Sequence, residues 1–276
     1  NLVNVYNGQA VAASQNDHAT AVTSIAAGER QFYNGKTYSG LAPNATVFVT
    51  ACIYEKEMIS GFELLASKGV NVINMSFNVK ASKKYGSFDR AIDRLVQSTG
   101  ITGVISAGNT TEDKSTYITS PGHALNAISV ANAVTKSNAT SAASTPYSIA
   151  DSSLWAESSE VPNKPDITAP GTNISVLMAN GTVYTNSGTS FAAPHVTGIV
   201  AQMMQENSVR IGNPQAVKAK LMNTAKPERI STTYNRPTGT ANIYEKSGAG
   251  FVDAAACMTG WGYFHAWNHA AAEPGY

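Results

Sequence analysis

Gly188-Thr189-Ser190-Phe191-Ala192-Ala193-Pro194-His195 places a serine where a loop turns into an apolar helix. Gly188 permits backbone angles that a Cβ resists. Pro194 is expected in the helix's first turn, where its missing N–H is harmless. Behind it Val196, Ile199, Val200, Met203 and Met204 recur at helical spacing and would bury one face. A serine at such a helix start sits beside free backbone N–H groups and the positive end of the dipole, which favours developing negative charge. Outward from this stretch, apolar strand runs at 47–52, 70–76, 101–106 and 126–131 alternate with helical patterns at 57–68, 87–98, 190–206 and 214–224. That alternation predicts an α/β fold with a mostly parallel sheet and helices on both faces. No internal repeat or linker divides it. The segments 132–164 and 226–247, rich in Ser, Thr, Asn and Pro, are predicted surface loops.

A nucleophilic serine needs a base. His18 opens a pattern of small residues in which Val22, Ile25 and Ala26 share a helical face, with Asn16 or Asp17 able to cap its start and Gly28 its end. A third segment, Ile101 to Asn109, reads as a buried strand ending in a tight Ala107-Gly108-Asn109 turn. An asparagine amide there is a neutral donor that can face an oxyanion without disturbing a histidine's protonation. Taken singly, each is an ordinary turn or helix residue. In this order, histidine first and serine last, they resemble the subtilisin-like serine proteases (subtilases). The Ser190 octapeptide, the His18 helix and the Asn109 turn carry the resemblance, which covers most of the chain.

The resemblance implies a three-layer subtilisin-like peptidase domain over residues 1–257, followed by an aromatic-rich tail at 258–276. It implies catalytic roles for His18 and Ser190, and an oxyanion hole formed by Asn109 and the Ser190 N–H. It places substrate beside Ser76, Phe77 and Asn78, with Ala107, Gly108 and Thr119 completing the pocket for the residue before the scissile bond. The family commonly has glycine at the positions of Asn78 and Thr119, so a narrow, neutral pocket is expected. No cofactor is needed for such chemistry; structural calcium is common in subtilases, but no acid cluster here marks a site.

One part of the pattern is missing. A Ser-His pair normally has a carboxylate that orients the imidazole, yet Asp17 is the sole acid before His18. Side chains of adjacent residues diverge, so Asp17 reads as a cap. Asp89 and Asp93 read as the wet face of a helix whose apolar side is Phe88, Ile92 and Val96. Asp166 and Asp253 read as turn and cap residues, and Asp113 and Asp151 as loop residues. Leu2-Val3-Asn4-Val5-Tyr6 alternates like a strand in progress, so the chain is expected to begin one strand late, with the aspartate on an upstream N-terminal segment that was trimmed, cleaved or left off, or that is supplied separately. The rival reading is a pseudoprotease serving as a binding module. An α/β-hydrolase esterase is disfavoured, because Ser190 lacks the Gly-x-Ser-x-Gly frame and its histidine comes first.

Composition limits the remaining classes. A net charge of +1 and no basic stripe exclude a nucleic-acid surface, and no apolar run is long enough to span a membrane. Charged residues are only 13% of the chain, which with the resemblance points to a secreted protein acting on polypeptides. Cys52 and Cys257 are too few for a disulfide framework and read as buried thiols. His195 lies about 140° round the helix from Ser190 and cannot be its base. His123 reads as a turn residue, and His265 and His269 fall in the tail.

Overall fold

The computed structural model describes residues 2–4, 17–50, 54–79, 84–110, 117–118, 120–134, 147–155, 164–178, 180–208, 211–230 and 246–259. Strand β1 (Leu2–Asn4) precedes helix α1 (Asp17–Ala27) and the hairpin of β2 (Gln31–Tyr33) and β3 (Lys36–Tyr38). Strand β4 (Val47–Val49), helix α2 (Glu55–Ser67), strand β5 (Val72–Met75), helix α3 (Ser87–Thr99) and strand β6 (Thr102–Ser106) then alternate as the periodicity predicts. After them come β7 (Ile128–Val134), β8 (Ser148–Ile149), β9 (Ile167–Pro170) and the hairpin of β10 (Ile174–Leu177) and β11 (Val183–Asn186). Helices α4 (Thr189–Glu206), α5 (Pro214–Thr224) and α6 (Ala254–Met258) end the described chain.

The main sheet is parallel through β5, β6, β7 and β9, and β8 alone joins it antiparallel, at the end of β7. Strand β1 pairs in parallel with β4, which confirms a strand at Leu2–Asn4. Alternation along β6 shows why helices cover both faces. Val104 points to the layer of α4, α5 and α6, whereas Ile105 points to the layer of α2 and α3. The first layer packs Val196, Val200, Met203 and Leu221 on Ile128, Val130 and Ile167; the second packs Phe62, Ile92 and Val96 on Ile73 and Met75. Each such side chain contributes about 1.5–3 kcal/mol on full burial. Helix α4 is buried nearly all round because α1 crosses its other side. A Cβ at Gly198 would stand 2.6 Å from Leu41 Cβ and 3.0 Å from Ala26 O, so only glycine permits that approach.

Four expectations need correction. Pro194 does not lie in the first turn: α4 begins at Thr189, so the proline sits inside the helix. Asp89 and Asp93 are buried, not wet. Asp89 Oδ2 accepts from the Gly86 N–H at the start of α3 (2.8 Å). Asp93 accepts from the N–H groups of Leu125 (2.9 Å) and Asn126 (2.7 Å) and from the Tyr85 hydroxyl (2.6 Å). Its bond and charge, after burial itself, push the Tyr85 phenol up to about 12. The predicted surface loops carry buried residues: 132–134 finish β7, while Ile149, Leu154, Trp155, Lys164 and Ile230 are interior. His123 does sit in a turn, but a buried one.

Asp253 caps α6 as expected, accepting from the Ala256 N–H at 2.9 Å. Cys257 is buried, its sulfur 3.2 Å from Thr224 Oγ1. Cys52, Asp113, Thr119, His265 and His269 lie outside the described residues, as do residues 260–276 of the predicted tail.

The Asp93 network generates a stability prediction. Asp93→Ala would leave two loop N–H groups without their acceptor, at about 1–3 kcal/mol for each buried donor. Urea unfolding should show a loss of roughly 3 kcal/mol, whereas exposed Asp151→Ala should stay within about 0.5 kcal/mol. Equal losses at both positions would mean that Asp93 does not hold the loop.

Candidate active site

The site is built where α4 starts. Gly188 has φ 151° and ψ 164°, a combination essentially confined to glycine. It lets the chain leave β11 and enter the helix within two residues, with Gly188 N–H donating to Gly171 O at 2.7 Å. Thr189 and Gly188 are buried, while Ser190 emerges partly exposed. The next side chain, Phe191, turns inward and packs with Ala21, Ile25 and Val176. That contact brings α1 to the serine.

Helix α1 is fixed at its far end. The N–H groups of Leu41 and Ala42 donate to the carbonyls of Ile25 (3.1 Å) and Ala26 (2.8 Å), and the Leu177 N–H donates to Ser24 Oγ (3.1 Å). Its near end presents His18, exposed at one edge, with its ring set edge-on to Phe191 at 5.8 Å. Partial desolvation holds its pKa below the usual 6.5. No carboxylate among the described side chains lies within ion-pair reach of the ring, and no hydrogen bond joins it to Ser190. The Ser190 hydroxyl instead leans toward Ser76 O at 3.5 Å, beyond a normal O–H···O distance.

Pro194 explains the other contact between these segments. In a regular helix the N–H of residue 194 would donate to the carbonyl of Ser190. Proline has none, so that carbonyl is left over, and Ser76 Oγ donates to it at 2.9 Å. Behind Ser76 a chain of bonds runs into the core. Asn74 Nδ2 donates to Ser76 Oγ (2.9 Å), and Thr197 Oγ1, about two turns beyond Ser190 on α4, donates to Asn74 Oδ1 (3.0 Å). Sequence reading passed over both Asn74 and Thr197. The available signal was a polar residue set between Ile73 and Met75 in a strand.

Asn109 lies beside the same helix start. Its Oδ1 accepts from the Thr189 N–H (3.0 Å) and hydroxyl (3.3 Å), while Thr189 Oγ1 accepts from the Gly108 N–H (3.1 Å). The backbone donor fixes which end of the amide is oxygen. The Nδ2 end then makes no bond among the described residues and is available to an incoming acceptor. Asn78, predicted to narrow the substrate pocket, spans to β6: its Nδ2 donates to Ser106 O and Ser106 Oγ donates to its Oδ1, both at 3.3 Å. Val79 N–H donates to Ser120 O (3.0 Å), joining this segment to the next loop. Ala107 and Gly108 are buried behind Asn109. The structure thus brings together Ser190, Asn109, Ser76, Asn78, Ala107 and Gly108, with Phe77 between two of them and His18 on the neighbouring helix. His195 points elsewhere: its Nδ1 donates to Phe191 O at 2.8 Å, and burial lowers its pKa.

The proline argument can be tested by a double-mutant cycle. Ser76→Ala should cost about 1 kcal/mol by stranding the Ser190 carbonyl. Pro194→Ala restores a helical N–H to that carbonyl, so in its presence Ser76→Ala should cost measurably less. Strict additivity in thermal unfolding would show that the two groups do not serve the same acceptor.

Comparison with known proteins gives this geometry a family. Subtilisin-like protease 2 of Arthroderma otae is 29% identical over 235 residues, covering 80% of this chain and 48% of that protein. Its namesake from Trichophyton rubrum is 30% identical over 234 residues, covering 80% and 48%. The chain spans about half the length of these curated relatives. Among solved structures, a cold-adapted subtilisin-like serine proteinase matches with TM-score 0.62 and 27% identity over 84% of this chain and 77% of that one. The prenylagaramide maturation protease PagA shares the fold, with TM-score 0.68 and 23% identity over 94% and 85%. The subtilase family model matches residues 2–258, and with the fold in agreement, the chain belongs to the subtilase family of serine proteases.

Proposed function

We propose that this chain is a serine endopeptidase domain that hydrolyses polypeptides through an acyl-enzyme. Ser190 Oγ attacks the scissile carbonyl, and the proton it loses passes to neutral His18 and then to the leaving amine. Asn109 Nδ2 and the Ser190 N–H receive the oxyanion. The observation that carries this reading is the orientation of Asn109: Thr189 holds its oxygen, so a neutral donor stands beside the start of the serine's helix. The Ser190 hydroxyl is held only by a long contact to Ser76 O; turning it toward an imidazole therefore gives up little. Low charge content and family membership favour secretion. No helix among the described residues is long and apolar enough to cross a membrane.

A carboxylate to orient His18 belongs to this reading, and none of the described side chains provides it. The same observation favours the second reading, a binding module that has lost turnover. A fluorophosphonate probe separates the two. The endopeptidase reading expects labelling at Ser190 alone, lost in Ser190→Ala, slowed by orders of magnitude in His18→Ala and retained in His195→Ala. Without the orienting acid the rate should fall at least roughly 10³-fold below a complete triad, since loss of the aspartate alone costs subtilisin about 3 × 10⁴ in turnover, and Asp17→Asn should not change it. Absence of labelling at Ser190 would leave the binding module.

The pH dependence follows from the same base. His18 must be neutral to accept a proton, so reactivity is lost as pH falls through its pKa. Desolvation places that pKa below 6.5, and the acid limb of the labelling rate should lie there. A midpoint above the ordinary histidine value would mean that an unseen anion faces the ring.

Specificity follows from Asn78. Its side chain spans two segments assigned to the pocket, and no acid among the described residues bonds to it, so small or medium apolar residues should be preferred before the scissile bond. Asn78→Gly should shift a peptide-library profile toward Phe and Tyr. A parent preference for Arg or Phe would show that these segments do not form the pocket.

A further inference from the structure

The turn at 124–127, between β6 and β7, is held by two ammonium groups. Lys164 Nζ donates to Ala124 O (2.6 Å), Ala127 O (3.3 Å) and Asp166 Oδ2 (2.6 Å). Lys218 Nζ, from α5, donates to Leu125 O (2.7 Å) and Ala127 O (2.9 Å) and pairs with Asp166 Oδ1 at 2.9 Å. An ammonium has three N–H donors, and each of these has three acceptors. Lys164 is almost wholly enclosed, its side chain 2% exposed, and Asp166 is 5% exposed. Ser129 N–H, donating to Asp166 Oδ2 at 2.7 Å, anchors the carboxylate to β7.

Five oxygens converge here: three main-chain carbonyls from one short turn and both oxygens of a carboxylate. That is the donor chemistry of a hard cation such as calcium, which takes carbonyl and carboxylate oxygens and fills its remaining positions with water. The cage differs from a surface ion pair in being buried and in that neutral carbonyls supply four of its six contacts. The charge also matches. Two ammonium groups carry the charge of one divalent ion, against the single negative charge of Asp166. Burial pushes the Lys164 ammonium down to about 8, with Asp166 acting against that shift, as expected for a cation held in a space from which water is excluded.

We propose that the 124–127 turn with Asp166 is a cation cage that this protein fills with its own Lys164 and Lys218, so that the loop is fixed here without a metal. Calcium, implied by the family, does not fit this place while the ammonium groups occupy it. Removing them should convert the cage into a calcium site. The loop it fixes includes Ser120, whose carbonyl receives Val79 N–H beside the candidate active site, so the cage also bears on the substrate side of the molecule.

The test compares the parent with Lys164→Met/Lys218→Met, in which methionine keeps the apolar stems. Equilibrium dialysis should find one more calcium ion per chain in the double variant than in the parent. Its Tm should rise with calcium by about 5–10 °C more than the parent's when calcium exceeds its Kd a hundredfold, and potassium, with half the charge, should do less. Lys218→Met alone leaves an ammonium in the cage and should take up no additional ion. A double variant that folds only with calcium would support the proposal as strongly. It is overturned if the double variant takes up no extra calcium, if it folds neither with the ion nor without it, or if Lys218→Met alone binds calcium as well as the double variant does.

Discussion

Pro194 withholds one hydrogen bond from α4, and the arrangement of the site depends on that omission. The carbonyl of Ser190 would otherwise be closed within its own helix. Left over, it takes the Ser76 hydroxyl at 2.9 Å, and the end of β5 is fastened to the first turn of α4. An interior proline ordinarily costs about 3 kcal/mol; here the neighbouring strand supplies a replacement donor, and buried packing around Ala193, Val196 and Val200 holds the helix in place. Asn74 and Thr197 extend the linkage, so Ser76 is itself held by a side chain that α4 orients about two turns further on. Helix and strand each fix the other's functional end.

The serine's second neighbour, His18, is positioned by apolar contact instead. Phe191 faces inward because Ser190 faces outward, and the cluster of Phe191 with Ala21, Ile25 and Val176 sets the distance of α1. Gly198 lets α1 approach closely. The two candidate reacting groups therefore rest on different physics. Hydrogen bonds determine the direction of the serine's backbone, and close packing determines where the histidine stands. A cavity beneath Phe191 would move His18 while leaving Ser190 in place.

The fold was legible in the sequence because both layers are periodic. Helical spacing in 190–206 and runs of apolar residues at 70–76 and 101–106 are local signals, and the sheet follows from their alternation. The grouping of Ser190, Asn109 and the Ser76 segment was legible as motif order. What was missed has no local signature. Asp93 looks like a wet-face residue on an amphipathic helix, yet its acceptors serve N–H groups 32 and 33 residues further on. Lys164 read as the end of a surface loop and Asp166 as a turn residue; only the fold brings the 124–127 carbonyls and α5 to them. Pro194 was misplaced because proline is usually found where its missing N–H does no harm, whereas here the missing N–H leaves a carbonyl for Ser76.

Low charge content takes on a different meaning once the interior is known. With 19 basic and 18 acidic residues in 276, the chain still places Asp89, Asp93, Lys164 and Asp166 inside, with Lys218 largely covered. Burying a charge is unfavourable unless it is paired and fully hydrogen-bonded, and these groups gather around one loop, 120–127, and the start of α3. Asp93 neutralises the loop's N–H groups while Lys164 and Lys218 take its carbonyls. A loop without strand or helix partners cannot satisfy its own backbone when buried. Charged side chains of both signs are therefore one means by which an irregular segment is made part of the core beside the site.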